Sequence, residues 1–356
     1  MSVPSLIARW NRSSSASNRR FNAVLAEYSD TVEIYSIDES FFRLPTRADG
    51  LGDVARAHQI RAAVLQSVGL PTRIGLGPTR TLSKVANALA KATEAVWGGV
   101  VDLHDQALRE RLFREWPVGE VWGIGRALEA RLRPLGVRTT ADLAALAPEV
   151  ARDVGTVVLE RLVRELAGVE CDDFRPEPEA LKATAVTRQF GEPVEDLDGL
   201  REAMARRAWR AAEKIRAQGL VASRMIGFAH GSSYRPNPPN ASRSVRLSPA
   251  TNDPRVIVSI AGRMVESMFE AGRVYTKCGI LLEDLTPAGA SQGDLFAAAD
   301  PRAPALLDAM DGLNSRYGRG TVSLASQGFG DRGFDTKRSQ KSPAWTTRID
   351  QVPVAR

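Results

Sequence analysis

Apolar positions along the chain recur with two different periods, and the period changes at short Gly- or Pro-containing breaks. In "SNRRFNAVLAEYSD", Phe21, Val24, Leu25 and Tyr28 recur at helical spacing behind Ser17, a candidate N-cap, which predicts a helix. "TVEIYSIDESFFRL" is β-branched and aromatic and reads as strand, tight turn, strand. "LGDVARAHQIRAAVLQSVG" returns to the helical period, with Val54, Ala57, Ile60, Val64 and Leu65 on one face. "PTRIGLG" is a short strand, and "PTRTLSKVANALAKAT" is a helix with Leu82, Val85, Ala86 and Leu89 inward and Thr79 at its N-cap. "GGVVDL" is a further strand. Strand pair, helix, strand, helix, strand is an α+β layer, with two carboxylates at a strand end.

From about Pro117 the pattern becomes short and helical. "VWGIGRALEARLRPLGVRTTADLAAL" predicts two short helices joined through a Gly-containing turn. "VVLERLVRELAGVECDDF" predicts a third, with Val158, Leu162 and Leu166 inward. "RPEPEAL" is Pro-rich and charged and reads as a linker. The stretch 182–286 then alternates strand, helix, strand, strand, helix, strand. Its first helix has Met204, Ala208, Ala211 and Ile215 inward, and its second carries Pro254 in the first turn. The order βαββαβ is that of a split ferredoxin-like unit. A tail rich in Gly, Ser, Arg and Asp follows, with one helical piece near "APALLDAMDGLNSR".

Composition narrows the classes. A chain of 356 residues can hold two to four domains, and 25% charged with 43% hydrophobic residues excludes wholesale disorder. The formal net charge of +6 suits a partner that is a polyanion, or simply a solvated basic surface. Cys171, Cys278, His58, His104 and His230 stand at no metal-ligand spacing, which argues against structural zinc. Two lone cysteines fit a reducing cytoplasm. No run of about 18 apolar residues occurs, so no membrane partner is expected, and the first residues lack a signal-peptide core.

Four features carry candidate chemistry. Asp38 and Glu39 are adjacent carboxylates at a strand end, where oxygen ligands can hold Mg²⁺ for phosphoryl transfer; the alternative is a solvated acidic turn. Lys84 and Lys91 lie seven apart on one helix side and can meet phosphates, or form a solvated stripe. The Gly-Ile-Gly turn of "VWGIGRALEARLRPLGV" lets backbone N–H groups approach a nucleic-acid phosphate, with Arg126, Arg131, Arg133 and Arg138 behind it. Arg206, Arg210 and Lys214 on one helix, with Arg224, Arg243 and Arg246 on strands, can track a phosphate backbone or make a solvated charged face.

"VEIYSIDESFFRL", "GLGPTRTLSKVANALAK" and "VWGIGRALEARLRPLGVRTTADL", in this order, resemble the Y-family translesion DNA polymerases. "SQGDLF", "MDGLNSRYGRGTVSLASQG" and "KSPAWTTR" narrow the resemblance to the UmuC-type catalytic subunit of DNA polymerase V. It covers the chain from about Ser17 onward. It implies an α+β multidomain fold: a partial ferredoxin-like palm (1–115), a helical thumb with a helix-hairpin-helix (116–175), a linker (176–181), a βαββαβ little finger (182–286), and a C-terminal tail (287–356).

The resemblance also implies roles. Asp38 and Glu39 would be catalytic ligands of Mg²⁺, and Ser36 would lie near the primer end. Lys91 would contact the incoming deoxynucleoside triphosphate. Lys84, Gly123, Gly125 and Arg126 would meet primer-template DNA. Gln292, Leu295 and Phe296 would dock on the sliding clamp, although Gly293 stands where the family has leucine. A UmuD-like processed dimer and RecA would be partners, in the cytoplasm. The family pattern opens with a strand of the form D-x-N-x-F-[YF], and no Asp precedes Asp30 here. The expectation is therefore an N-terminally truncated chain without the first metal aspartate, the fingers or the central palm strand. Such a chain is an error-prone translesion polymerase subunit or, alternatively, an inactive remnant that binds primer-template.

Overall fold

A computed structural model of the chain describes residues 5–10, 15–45, 52–171, 174, 181–290, 302–318 and 320–328; for 5–10 and 15–16 it describes the backbone course alone. The chain divides into two units, one from Met1 to Glu179 with Pro343–Arg356, the other from Ala180 to Ser342.

In the first unit, β1 (Ser5–Trp10), α1 (Ser15–Ala26), β2 (Val32–Ile34) and β3 (Glu39–Arg43) are followed by α2 (Asp53–Val68), β4 (Thr72–Gly77), α3 (Arg80–Ala92), α4 (Glu94–Trp97) and β5 (Val100–Asp102). The strands form one sheet in the order β2-β3-β1-β4-β5. β1 pairs antiparallel with both β3 and β4, while β4 and β5 are parallel. This corrects the expectation of a missing central strand. Without β1, β3 and β4 would each leave a row of backbone N–H and C=O groups unpaired, and "SLIARW" supplies both ladders.

Phe21, Leu25, Phe42, Ile60, Val64, Ile74 and Leu76 form the core between α1, α2 and the sheet. The face expected for α2 is narrower than its period suggested: Ala57, Ile60 and Val64 are buried, whereas Val54 and Leu65 are exposed. α3 buries Leu82, Val85, Ala86 and Leu89 as expected, and Thr79 caps it by accepting the N–H of Leu82 at 3.2 Å. Gly75 of β4 is what lets α3 lie so close to the sheet. A Cβ there would fall 2.3 Å from Asn87 N and Ser83 O.

The rest of this unit contains α5 (Gln106–Glu115), α6 (Arg126–Leu132), α7 (Thr140–Ala144) and α8 (Pro148–Leu166), with 3₁₀ turns at Val118–Glu120 and Arg133–Leu135. α5 was not read from the sequence; its Phe113 joins the core that Leu132, Leu143, Leu159 and Leu166 share with Leu82 and Val85 of α3. α8 breaks at Gly155–Thr156, where Thr156 has φ 68°. The break resets the helical phase. Leu159, Leu162 and Leu166 turn inward while Val158, expected inside, is 68% exposed.

The second unit contains β6 (Ala183–Val194), α9 (Leu197–Arg216), β7 (Leu220–His230), β8 (Asn240–Thr251), α10 (Pro254–Met268), β9 (Tyr275–Pro287) and α11 (Ala303–Tyr317). The βαββαβ order is present. The strand order is β6-β9-β7-β8 and every pair is antiparallel, so the first and third strands sit at the edges. A split ferredoxin-like unit would pair them centrally. α9 and α10 cover one face through Met204, Ala208, Ala211, Ile215, Ile257 and Met264. α11 is tied to α9 by a two-pronged ion pair, Arg216 Nε and Nη2 to Asp311 Oδ2 and Oδ1 at 2.8 and 2.7 Å.

Candidate active-site hairpin and nucleic-acid face

β2 and β3 form a hairpin in which Glu33 faces Phe41 and Ile34 faces Ser40. The N–H groups of Tyr35 and Ser36 both donate to the carbonyl of Glu39, at 3.1 and 3.0 Å, closing the turn. The adjacent acids have different partners. Asp38 belongs to the turn: its Oδ1 accepts the Ser36 hydroxyl at 2.8 Å. Glu39 begins β3, and its Oε2 accepts from Lys84 Nζ at 2.8 Å. Burial of that pair is nearly complete, with side-chain exposures of 8% for Lys84 and 13% for Glu39. Beside it Arg80 of α3 pairs with Glu33 at 2.7 Å. Because alternate strand residues share a face, Glu33, Glu39 and Phe41 meet the same stripe of α3.

Aromatic rings surround the two cations. Lys84 Nζ lies 4.2 Å from the ring centre of Tyr35, 5.1 Å from Trp122 and 5.6 Å from Phe41; the Arg80 guanidinium lies 4.6 Å from Phe41. Trp122 belongs to the Gly-Ile-Gly turn and meets Tyr35 edge-on at 5.8 Å. The opposite side of the hairpin is pinned by α1. Asn18 Nδ2 donates to the Ile37 carbonyl at 2.8 Å, and Asn22 Oδ1 accepts the Ser40 hydroxyl at 2.7 Å. Glu165 of α8 adds a second tie to α3. Its Oε2 accepts the Thr81 N–H at 3.0 Å and the Thr81 hydroxyl at 2.5 Å, inside a residue only 4% exposed. Sequence reasoning missed Glu33, Tyr35, Arg80, Trp122, Asn18, Asn22 and Glu165. The only legible signal was the spacing of Arg80 and Lys84, one helical turn apart.

The residues named in advance are thus brought together only in part. Asp38, Glu39, Ser36 and Lys84 meet at the hairpin. Lys84 is a buried ion-pair partner rather than a solvent-facing phosphate contact, because Glu39 and three rings enclose it. Lys91 is exposed in the last turn of α3, away from that cage. Gly123 adopts φ 92° and passes so close to α8 that a Cβ would meet Leu162 at 2.9 Å; Gly125 and Arg126 are exposed at the start of α6. Gln292, Leu295 and Phe296 lie outside the described residues.

A two-ion site needs several carboxylates converging on one spot. Asp38 and Glu39 are the right donor types for a hard cation. β1, the neighbour of β3, carries no carboxylate in "SLIARW", and Arg9 stands at the register position paired with Glu39. Among the described residues no group of three His, Cys, Asp or Glu side chains could hold a metal ion. With Glu39 already neutralised by Lys84, the residues present do not fit such a site.

In the second unit the sheet face opposite the helices carries Arg224, Phe228 and His230 of β7, Ser244 and Arg246 of β8, and Lys277 of β9, by register and alternation. A pocket of about 320 Å³ lies among Ser223, Arg224, Ser244, Arg246 and Asp284. Arg224 is balanced by Asp284 at 3.3 Å. Burial and the Lys277 ammonium hold the His230 imidazole below its ordinary value. Arg243 is not on this face; its Nη2 donates to the Ser267 carbonyl at the end of α10. Arg206 and Arg210 are likewise used by their own chain, on the Gln327 carbonyl at 2.8 Å and on Glu213 at 2.5 Å.

Residues 7–88 match the impB/mucB/samB family, residues 181–295 its C-terminal domain, and residues 304–355 a domain of unknown function. A solved Y-family DNA polymerase chimera superposes with a TM-score of 0.58 at 16% identity, covering 76% of this chain and 75% of that one. The fold is that of a Y-family DNA polymerase. Protein UmuC of Salmonella typhimurium is 36% identical over 94% of this chain and 80% of its own length, and Protein SamB of Salmonella typhimurium 34% over 93% and 79%. DNA polymerase IV of Desulfatibacillum aliphaticivorans is 27% identical over 87% and 76%. The chain belongs to the impB/mucB/samB family, the UmuC-type error-prone translesion polymerase subunits. Y-family DNA polymerases are generally dependent on divalent metal ions. Among the described residues no helix is long and apolar enough to cross a membrane.

Proposed function

We propose that this chain acts in damage-induced translesion synthesis as a UmuC-type subunit that engages primer-template DNA and deoxynucleoside triphosphates. One observation carries the reading: Lys84 of α3 touches both Glu39 of the carboxylate hairpin and Trp122 of the thumb turn, so three separate motifs converge on one spot. Palm, thumb and little finger are assigned to 1–115, 116–175 and 182–286. The exposed Gly125 and Arg126 are assigned to DNA backbone phosphates, and Lys91 to the triphosphate. The open sheet face with Arg224, Arg246 and Lys277 is assigned to duplex DNA.

Mg²⁺ is the ion assigned to the family's chemistry; Asp38 and Glu39 have the donor chemistry for it, but with Glu39 paired to Lys84 they do not by themselves make its site. A further carboxylate has to come from outside the described residues. The sliding clamp, through Gln292, Leu295 and Phe296, a UmuD-like dimer and RecA are proposed partners, and the cytoplasm the proposed location. A second reading, DNA binding without chemistry, is favoured by the absence of any carboxylate on β1. Primer extension by the full chain, beside Asp38→Asn, separates the two. Extension abolished by Asp38→Asn supports the polymerase. No extension, with primer-template still shifted on a gel, supports the binding protein. No shift at all sinks both.

A further inference from the structure

The disagreement between the hairpin and a metal site has a definite structural cause. Glu39 does not wait for a cation. It already holds one, the Lys84 ammonium, at 2.8 Å and largely out of water. The ammonium is fixed from its other sides by the faces of Tyr35, Phe41 and Trp122. Glu33 and Arg80 form a parallel pair on the same face, so neither carboxylate on this side of the hairpin lacks a counter-charge.

We propose that Lys84 is the resident cation of this hairpin, and that the ring cage holding it keeps Asp38 and Glu39 closed to divalent ions. The proposal rests on the family reading of the hairpin as the metal-binding end of the palm. The argument is electrostatic. An ion bound by Glu39 would sit within a few ångströms of the ammonium, in a poorly solvated place where like charges repel strongly. Moving the ammonium aside would strip a buried cation of its carboxylate and its rings together. Trp122 makes the closure a property of two elements at once. It is part of the thumb turn, so whatever shifts that turn also loosens the grip on Lys84.

The test uses the full chain and Mn²⁺ alone, with free Mn²⁺ read by electron paramagnetic resonance. Wild type is expected to show no Mn²⁺ site that Asp38→Asn removes. Lys84→Met is expected to open one at least tenfold tighter, and Lys84→Met/Asp38→Asn to abolish it. Lys84→Arg, which keeps the charge, should behave as wild type. If circular dichroism shows Lys84→Met misfolded, Trp122→Leu takes its place, with a smaller gain of the same sign expected. A wild-type site already sensitive to Asp38→Asn overturns the proposal, as does no gain in the folded variant used. Fluorescence anisotropy with labelled primer-template on the same samples keeps the two readings apart. Loss of DNA binding in wild type counts against the proposed function, and the Mn²⁺ result alone decides the role of Lys84.

Discussion

Glu165 offers the sharpest test of how α8 is fastened to α3 behind the hairpin. Its carboxylate stands at the N-terminus of α3, where the first N–H groups lack intrahelical partners, and it takes both the N–H and the hydroxyl of Thr81. Glu165→Ala removes both bonds and leaves the Thr81 amide facing a hole in a residue environment that is 96% hidden from water (4% exposed). Hydrogen bonds to a charged group contribute about 1.5–3 kcal/mol each. The helix N-terminus adds about 0.5 kcal/mol for a nearby anion. Against this stands the relief of desolvating a carboxylate whose Oε1 finds no partner among the described residues. The net expectation is a loss of about 3 kcal/mol. Glu165→Gln keeps an oxygen acceptor without the charge and should lose about half as much. Urea unfolding of the full chain, followed by tryptophan fluorescence, reads the change on the transition that Trp97, Trp116 and Trp122 report. A loss below about 1 kcal/mol for Glu165→Ala would refute the view that this side chain caps α3.

Two other outcomes follow from the same geometry. Gly75→Ala would place a Cβ 2.3 Å from backbone atoms of Asn87 and Ser83, so α3 has to retreat. The expected cost is about 3 kcal/mol, seen as a lowered Tm. Asp142 completes a capping box on α7: its Oδ2 accepts the N–H groups of Arg138 and Thr139, and these bonds hold its carboxyl below the ordinary range. A depressed carboxyl stabilises the fold above its unfolded pKa and loses that contribution as pH falls through the folded value. Asp142→Ala should therefore cost about 1 kcal/mol at pH 7, with the gap to wild type closing below about pH 4. A gap in Tm that stays constant from pH 7 down to pH 3 would show that the charge is not its source.

Most elements were legible because their signals are local. The stripe Leu82, Val85, Ala86, Leu89 behind a Thr cap needs nothing beyond its own turn to define α3, and the same holds for Met204, Ala208, Ala211 and Ile215 on α9. Where the sequence misled, the helical period was overridden by a backbone break or by what the helix packs on. Val158 turned outward because the break at Gly155–Thr156 rephased α8. Val54 and Leu65 are exposed because, among the described residues, α2 packs on α1, β4 and β5 through its Ala57, Ile60 and Val64 face. The family order of "SIDESFF", the lysine helix and the Gly-Ile-Gly turn was readable along the chain, since each motif is contiguous.

What the sequence could not state was which charge meets which. Lys84 and Glu39 are 45 residues apart, and Trp122 is 38 further on. A lysine on a helix reads as solvated until the fold lays a carboxylate and three rings against it. The central strand was equally invisible, since "SLIARW" lacks the D-x-N-x-F-[YF] form and its place in the sheet shows only in its ladders to β3 and β4. Local period and motif order determined the elements and the family. The tertiary structure decided the electrostatics, because ion pairing and desolvation depend on distances through space rather than along the chain.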